Sequence, residues 1–308
     1  MTIRKQRSRK IRRNAGAPSH GSPWGGSDPA RPRDSGPNDG APREAKRRRP
    51  DANSSRNAEP ARGQGLWLYG IHAVSAALAN PIRRCHRLIA TTQAIKFLSE
   101  TLGDDLGRDV DKTGNLPVTT APRGDVGEFL TDGAVHQGVS MEVSPLPATA
   151  LDTVCHPDTM SRLVVLDRVN DPQNLGAVLR VAAAFEAGAV IVPDRHAPGE
   201  SGALAKAASG MLEIIPLVRV PNLAQALERL KHDGYWCIGM DGTATETIAQ
   251  SRPAGATALV LGAEGAGLRR LTRERCDALA RLPISDKVES LNLATAAAVA
   301  LYALANEA

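Results

Sequence analysis

Short, wholly apolar runs recur through the second half of the chain, as Leu163-Val164-Val165-Leu166, Ala189-Val190-Ile191-Val192 and Ala258-Leu259-Val260-Leu261. A strand with apolar residues on both faces must be covered on both faces, and a parallel sheet between two layers of helix provides that cover. The pattern from about residue 161 predicts strands at 163–167, 189–192, 215–220, 235–240, 257–262 and 280–284. Helices are predicted between and after them, at 174–187, 201–209, 222–233, 268–279 and 291–305. This alternation constrains the region to one open α/β domain with a mostly parallel sheet. Aromatic residues make up only 3% of the 308 residues, so Ala, Val and Leu must fill the core.

Upstream the composition divides twice. Residues 1–65 hold 8 Gly, 8 Pro and almost nothing apolar, a composition that predicts disorder. They carry 16 Lys and Arg against 6 Asp and Glu, whereas the whole chain is only +5. The basic character therefore belongs to the tail, in clusters such as Arg4-Lys5-Gln6-Arg7 and Lys46-Arg47-Arg48-Arg49. Such cations attract phosphate backbones without reading base sequence, although a merely solubilising tail has the same composition. Residues 66–147 read as a small α/β domain. A helix is expected within Leu68–Leu78, stopped by Asn80-Pro81, and strands at 87–90 and 138–143. The stiff stretch Ser144-Pro145-Leu146-Pro147 then leads into the larger domain at 148–308.

Several function classes are disfavoured. No apolar stretch approaches the roughly 20 residues that span a bilayer, and the N-terminus has no secretory h-region. The first 13 residues are basic, yet Met1, Ile3 and Ile11 are too thin an apolar set for an amphipathic presequence. Cys85, Cys155, Cys237 and Cys276 form no CxxC pair, which argues against zinc and disulfides and points to a reducing, cytoplasmic setting.

Three motifs carry the chemistry. Asn174-Leu175-Gly176-Ala177-Val178-Leu179-Arg180 places an amide and a guanidinium six residues apart at the opening of a helix. Leu261-Gly262-Ala263-Glu264-Gly265-Ala266-Gly267-Leu268 is a buried strand running into a glycine turn with one carboxylate. Its GxxGxG spacing is not the GxGxxG of a dinucleotide fold, and it follows the fifth strand of the domain, not the first. Leu282-Pro283-Ile284 and Ser290-Leu291-Asn292 lead into a nearly charge-free, alanine-rich helix. Each has a plain structural reading as well: a helix-to-carboxylate pair for Arg180, an ordinary turn for the glycines, an N-cap for Asn174, Ser290 or Asn292.

In this order, NxGAxxR, LGxEGxGL and LPI…VxSLNxAxAxAxxLY resemble the three motifs of the SpoU/TrmH family in the SPOUT superfamily. These are S-adenosylmethionine-dependent RNA ribose 2′-O-methyltransferases. Tyr69-Gly70-Ile71-His72-Ala73-Val74 and His136-Gln137-Gly138-Val139 resemble the ribosomal-protein-like substrate domain of the family members that methylate a guanosine in bacterial 23S rRNA. The resemblance implies a knotted fold, with a deep trefoil knot exceptional among chains. It implies catalytic roles for Arg180, Asn174, Glu264, Ser290 and Asn292, and adenosine binding by backbone near Gly262, Leu282, Ile284 and Leu291. A homodimer, an rRNA substrate and no metal complete the expectation. The rival readings are the same chemistry on tRNA and a non-catalytic RNA-binding or ribosome-assembly factor.

Overall fold

The computed structural model of the chain describes residues 65–103, 116–251, 253–285 and 287–305. The basic tail expected to be disordered lies, but for Gly65, outside the described residues.

The first sheet is built from β1 (Leu66–Tyr69), β2 (Cys85–Ala90), β3 (Val118–Thr120) and β4 (Val139–Val143), in the order β1-β4-β2-β3. Two helices, α1 (Ile71–Ala79) and α2 (Thr92–Leu102), supply its apolar cover. The helix expected within Leu68–Leu78 begins later, because Leu66–Tyr69 pairs in register with β4 and Gly70 turns the chain at φ 90°. On the other face the 121–138 segment is pinned by the Ser140 hydroxyl, which donates to the Val126 carbonyl at 2.8 Å. There Phe129 stacks on Trp67 at 4.8 Å, with the Arg87 guanidinium beside both rings.

The second sheet contains β5 (Arg162–Asp167), β6 (Ala189–Pro193), β7 (Leu217–Val220), β8 (Trp236–Met240), β9 (Thr257–Gly262) and β10 (Ala278–Ala280). All pairings are parallel, in the order β10-β8-β9-β5-β6-β7. Alternate residues of each strand enter opposite cores. Val164, Leu166, Val190, Val192, Leu259 and Leu261 join the core that contains α3 (Pro172–Ala184), α4 (Gly202–Ala208) and α7 (Leu293–Ala305). Leu163, Val165, Ala189, Ile191, Ala258 and Val260 join the core beneath α5 (Leu223–His232). The continuous apolar runs are thus the signature of a sheet buried on both sides.

Two predicted elements of this domain move most. The last strand is Ala278–Ala280, not 280–284, since Pro283 has no N–H to give a ladder and Leu279 is the residue in register with Gly239 of β8. The helix expected at 268–279 shrinks to α6 (Arg270–Arg275), because Arg269 and Cys276 are both extended.

The two sheets share one core, and a glycine lets α4 of the second layer approach the first sheet, while another lets α3 and α4 pack closely. A Cβ on Gly202 of α4 would lie 2.4 Å from the Trp67 carbonyl oxygen of β1. One on Gly176 of α3 would lie 2.5 Å from the Ala207 Cβ of α4. Beside this junction Arg83, its side chain wholly buried, is held by two carboxylates of the second sheet's layer. Nη1 meets Glu200 at 2.5 Å, Nη2 meets Glu213 at 2.5 Å, and Nη1 also donates to the Ser144 carbonyl at 2.9 Å. Burial opposes the Arg83 charge, but hydrogen bonds and attraction from Glu213 and Glu200 outweigh it and leave its pKa above the usual arginine value. Glu200 in turn accepts from the Leu146 N–H at 3.0 Å, so one triad ties the connector to both layers. Arg83→Met should lower stability by about 3–5 kcal/mol, because it strands a buried carboxylate without its counter-charge. Urea unfolding of the variant beside wild type measures this.

Candidate active site

In a parallel sheet every strand ends on the same edge, and loops that follow those ends converge there. β5 ends at Asp167, a wholly buried residue in register with Gly262 at the end of β9. Its carboxylate accepts from the Arg269 backbone N–H at 2.8 Å and from the Arg269 Nε at 2.5 Å. One charge-assisted clamp therefore closes the 262–269 loop onto the neighbouring strand.

Inside that loop the glycines have separate tasks. The Ala263 N–H donates to the Gly267 carbonyl at 3.2 Å, and the Gly267 N–H returns to the Ala263 carbonyl at 2.9 Å. A Cβ on Gly262 would lie 2.1 Å from the Gly267 carbonyl carbon, so no larger residue fits. Gly267 adopts φ 63°, the left-handed region open to glycine. The small closed turn holds Glu264 exposed at its tip.

Three segments meet at the Glu264 Oε1. The Asn174 Nδ2 donates to it at 3.1 Å, the Asn292 Nδ2 at 3.0 Å and the Leu293 N–H at 3.0 Å. Asn292 Nδ2 also reaches the Asn174 Oδ1 at 2.8 Å. Asn292 is at the same time the N-cap of α7, since its Oδ1 accepts from the Ala294 N–H at 2.9 Å. A carboxylate at that N-terminus also suits the helix dipole. The cap of α3 is Asp171, which accepts from the Gln173 N–H at 3.0 Å, with Pro172 at the first helical position. Asn174 is therefore free of the capping role that its sequence position allowed.

The other expected site residues fall around this node. Ser290 is exposed on the approach to Asn292 and does not cap the helix. Gly262 ends β9, while Leu282, Ile284 and Leu291 lie on the loop beyond β10, where the Ile284 N–H donates to the Leu282 carbonyl at 2.9 Å. Ile284 is exposed, and no atom lies within 4 Å of a Cβ built on Gly265 or Gly267. The two loops thus offer open backbone and apolar edges to a ligand. Arg180 is not at the opening of its helix. Six residues beyond Asn174 means roughly 9 Å along the axis and a different face. It is exposed and, among the described residues, makes no hydrogen bond or ion pair. Sequence reasoning missed the Asp167–Arg269 clamp. An acid ending a wholly apolar run was the signal available.

The node supplies oriented amides and one carboxylate, equipment for positioning a polar substrate and not for attacking it. Among the described residues no group of three or more His, Cys, Asp or Glu is placed to hold a metal ion, and no helix is long and apolar enough to cross a membrane.

Comparison with known proteins gives a consistent picture. Residues 161–302 match the family described as SpoU rRNA Methylase, and residues 67–149 match RNA 2′-O ribose methyltransferase substrate binding. A 23S rRNA (guanosine-2′-O-)-methyltransferase RlmB from Pseudomonas aeruginosa is 40% identical over 242 residues, covering 76% of this chain and 94% of its own. The protein of that name from Pasteurella multocida is 39% identical, covering 78% and 97%. Among solved structures, the SpoU methyltransferase AviRb from Streptomyces viridochromogenes in complex with AdoMet superposes with a TM-score of 0.64 at 24% identity, over 79% of this chain and 90% of that one. The AdoMet-bound rRNA methyltransferase from Sinorhizobium meliloti gives 0.64 at 21%, over 78% and 87%. These structures share the fold.

The clamp has a measurable consequence. Asp167→Ala leaves the Arg269 N–H and guanidinium without their acceptor, a loss of about 1–3 kcal/mol. Hydrogen exchange should show faster amide exchange across 263–269 and little change in β6 and β7.

Proposed function

The chain belongs to the SpoU rRNA methylase family, and from that premise we propose that it transfers a methyl group from S-adenosylmethionine to the ribose 2′-hydroxyl of a guanosine in 23S rRNA. The observation that carries this reading is the meeting of Asn174, Glu264 and Asn292 at the strand ends, in a chain whose relatives of that activity align along almost their whole length. On this reading residues 66–147 bind RNA, residues 148–308 hold the cofactor and perform transfer in the cytoplasm, and the basic tail at 1–65 adds unspecific attraction to RNA. The match at 67–149 favours rRNA over tRNA as substrate, because it extends the likeness to the rRNA enzymes through the smaller domain.

The open space beside Gly265 and Gly267 and the exposed edge of Ile284 fit an adenosine, with Gly262, Leu282, Ile284 and Leu291 as its contacts. When bound, the cofactor supplies an electrophilic methyl group and leaves as the neutral thioether. The residues of the chain must align the 2′-oxygen with that methyl and accommodate the proton it sheds. Asn174 and Asn292, held rigid by Glu264, present amide groups to the ribose, and Ser290 lies beside them as a further hydroxyl partner. Arginine stays protonated, so Arg180 serves to orient the hydroxyl and stabilise the negative charge that develops on it.

Arg180, exposed and unpartnered among the described residues, supports a homodimer in which the Arg180 of one protomer completes the site of the other. Val299, 43% exposed on α7, marks the helix face for that contact. A trefoil knot is part of the same reading. It is supported by the path of the chain after β10, which leaves the sheet edge beyond β8 and returns to Glu264 and Asn174.

Arg180→Ala should lose methyl transfer to 23S rRNA, by about 100-fold or more if the guanidinium stabilises the oxyanion, while calorimetry shows S-adenosylmethionine binding retained. Mixing inactive Arg180→Ala with inactive Asn174→Ala should restore about a quarter of wild-type activity, as random pairing gives when each site draws on both protomers. Absence of recovery would place Arg180 and Asn174 in one protomer's site.

A further inference from the structure

Beside the node, on the β6 side of β5, lie two arginines and a histidine whose side chains neither the fold nor the proposed transfer step uses. Arg168 follows the last residue of β5, and Arg195 and His196 follow β6. Arg168 and His196 both adopt left-handed backbone, at φ 73° and 72°, and the two turns are joined by the Val169 N–H donating to the His196 carbonyl at 3.2 Å. Residues other than glycine rarely enter that region, and when held there they cluster at ligand sites and clamps. Glycine would hold either turn without strain. Instead the chain carries Arg and His, with Arg195 between, and all three are exposed. Among the described residues none of the three side chains makes a hydrogen bond or an ion pair. The acids next to them in sequence are engaged elsewhere: Asp167 holds Arg269, and Asp194 acts on the half-buried Arg219, where with Glu200 it counters the effect of burial.

Position makes this more than solvated charge. The chain builds β5, β6 and β7 outward in one direction and then crosses to lay β8, β9 and β10 on the other side. The switch point of the sheet is therefore at β5, where open α/β sheets bind ligands beyond the carboxyl ends. Glu264 stands on the β9 side of that point, and Arg168, Arg195 and His196 stand on its β6 side. The two groups thus flank one strand end, where a ribose and the phosphates beside it can be held together. Guanidinium groups with free donors are suited to phosphate oxygens, and such contacts set register without reading bases.

We propose that Arg168, Arg195 and His196 form a phosphate clamp for the RNA strand flanking the methylated ribose, a site that rests on the RNA-methylating reading above. The clamp positions substrate and takes no part in the transfer step. It should govern KM and salt dependence, leaving kcat and cofactor affinity alone.

The test uses the full chain with in vitro transcribed 23S rRNA and radiolabelled S-adenosylmethionine, together with binding of a fluorescent fragment of that RNA across a salt series. Arg168→Gln/Arg195→Gln should raise KM about tenfold and reduce the slope of log affinity against log salt by about 1–2, as loss of one or two phosphate contacts dictates. In that variant kcat, the calorimetric affinity for S-adenosylmethionine and the melting temperature should stay near wild type. Arg168→Lys/Arg195→Lys should keep the salt slope, which a purely structural role for the arginines would not predict. An unchanged KM and slope in the Gln pair, or equal losses in the Gln and Lys pairs, overturns the clamp. If wild type methylates no RNA, the reading of the activity fails instead, and the salt slope of binding still decides the clamp.

Discussion

A single carboxylate oxygen, the Oε1 of Glu264, gathers what the site consists of. It draws together residues 118 positions apart, taking hydrogen bonds from Asn174, Asn292 and Leu293. Each of those donors belongs to a helix start, and helix starts are where backbone N–H groups lack partners. Glu264 can act this way only because the glycine turn around it is closed on itself. That turn in turn is fastened by the buried Asp167 through Arg269. Remove the clamp and the node loses its support; remove the node and α7 loses part of its cap.

The sheet beneath imposes the geometry. Strands buried on both faces leave only their ends exposed to solvent, so polar function gathers along one edge. The smaller domain is fixed to the same body by the close contact that only glycine allows at 202, and by the Arg83 triad. On the proposed reading, a substrate domain attached this firmly presents RNA to the strand-end edge at a set orientation, which suits positioning catalysis more than a tethered module would.

The parts of the fold readable from sequence were those with a strong periodic signal. The runs at 163–166, 189–192 and 258–261 are strands because alternate residues find two separate cores, and the helix at 293–305 followed from its alanine-rich pattern. The misread parts lacked such a signal. Leu68 and Tyr69 read as the start of a helix, and pairing with β4 decides otherwise. The residues 268–279 look helical throughout, but capture of the Arg269 N–H by Asp167 delays the start and the edge strand β10 claims the end.

The sequence by itself determined which functional groups the three motifs carry: an amide and an arginine in the first, a carboxylate among glycines in the second, a serine and an asparagine ahead of an apolar helix in the third. Tertiary structure decided which of them meet. Asn174, Glu264 and Asn292 converge, whereas Arg180 faces solvent two turns along its helix, and Asp171, not Asn174, caps that helix. The reason is that hydrogen bonds between side chains act over about 3 Å. Separation along the chain carries no information on that scale until parallel strands bring their ends to a common edge.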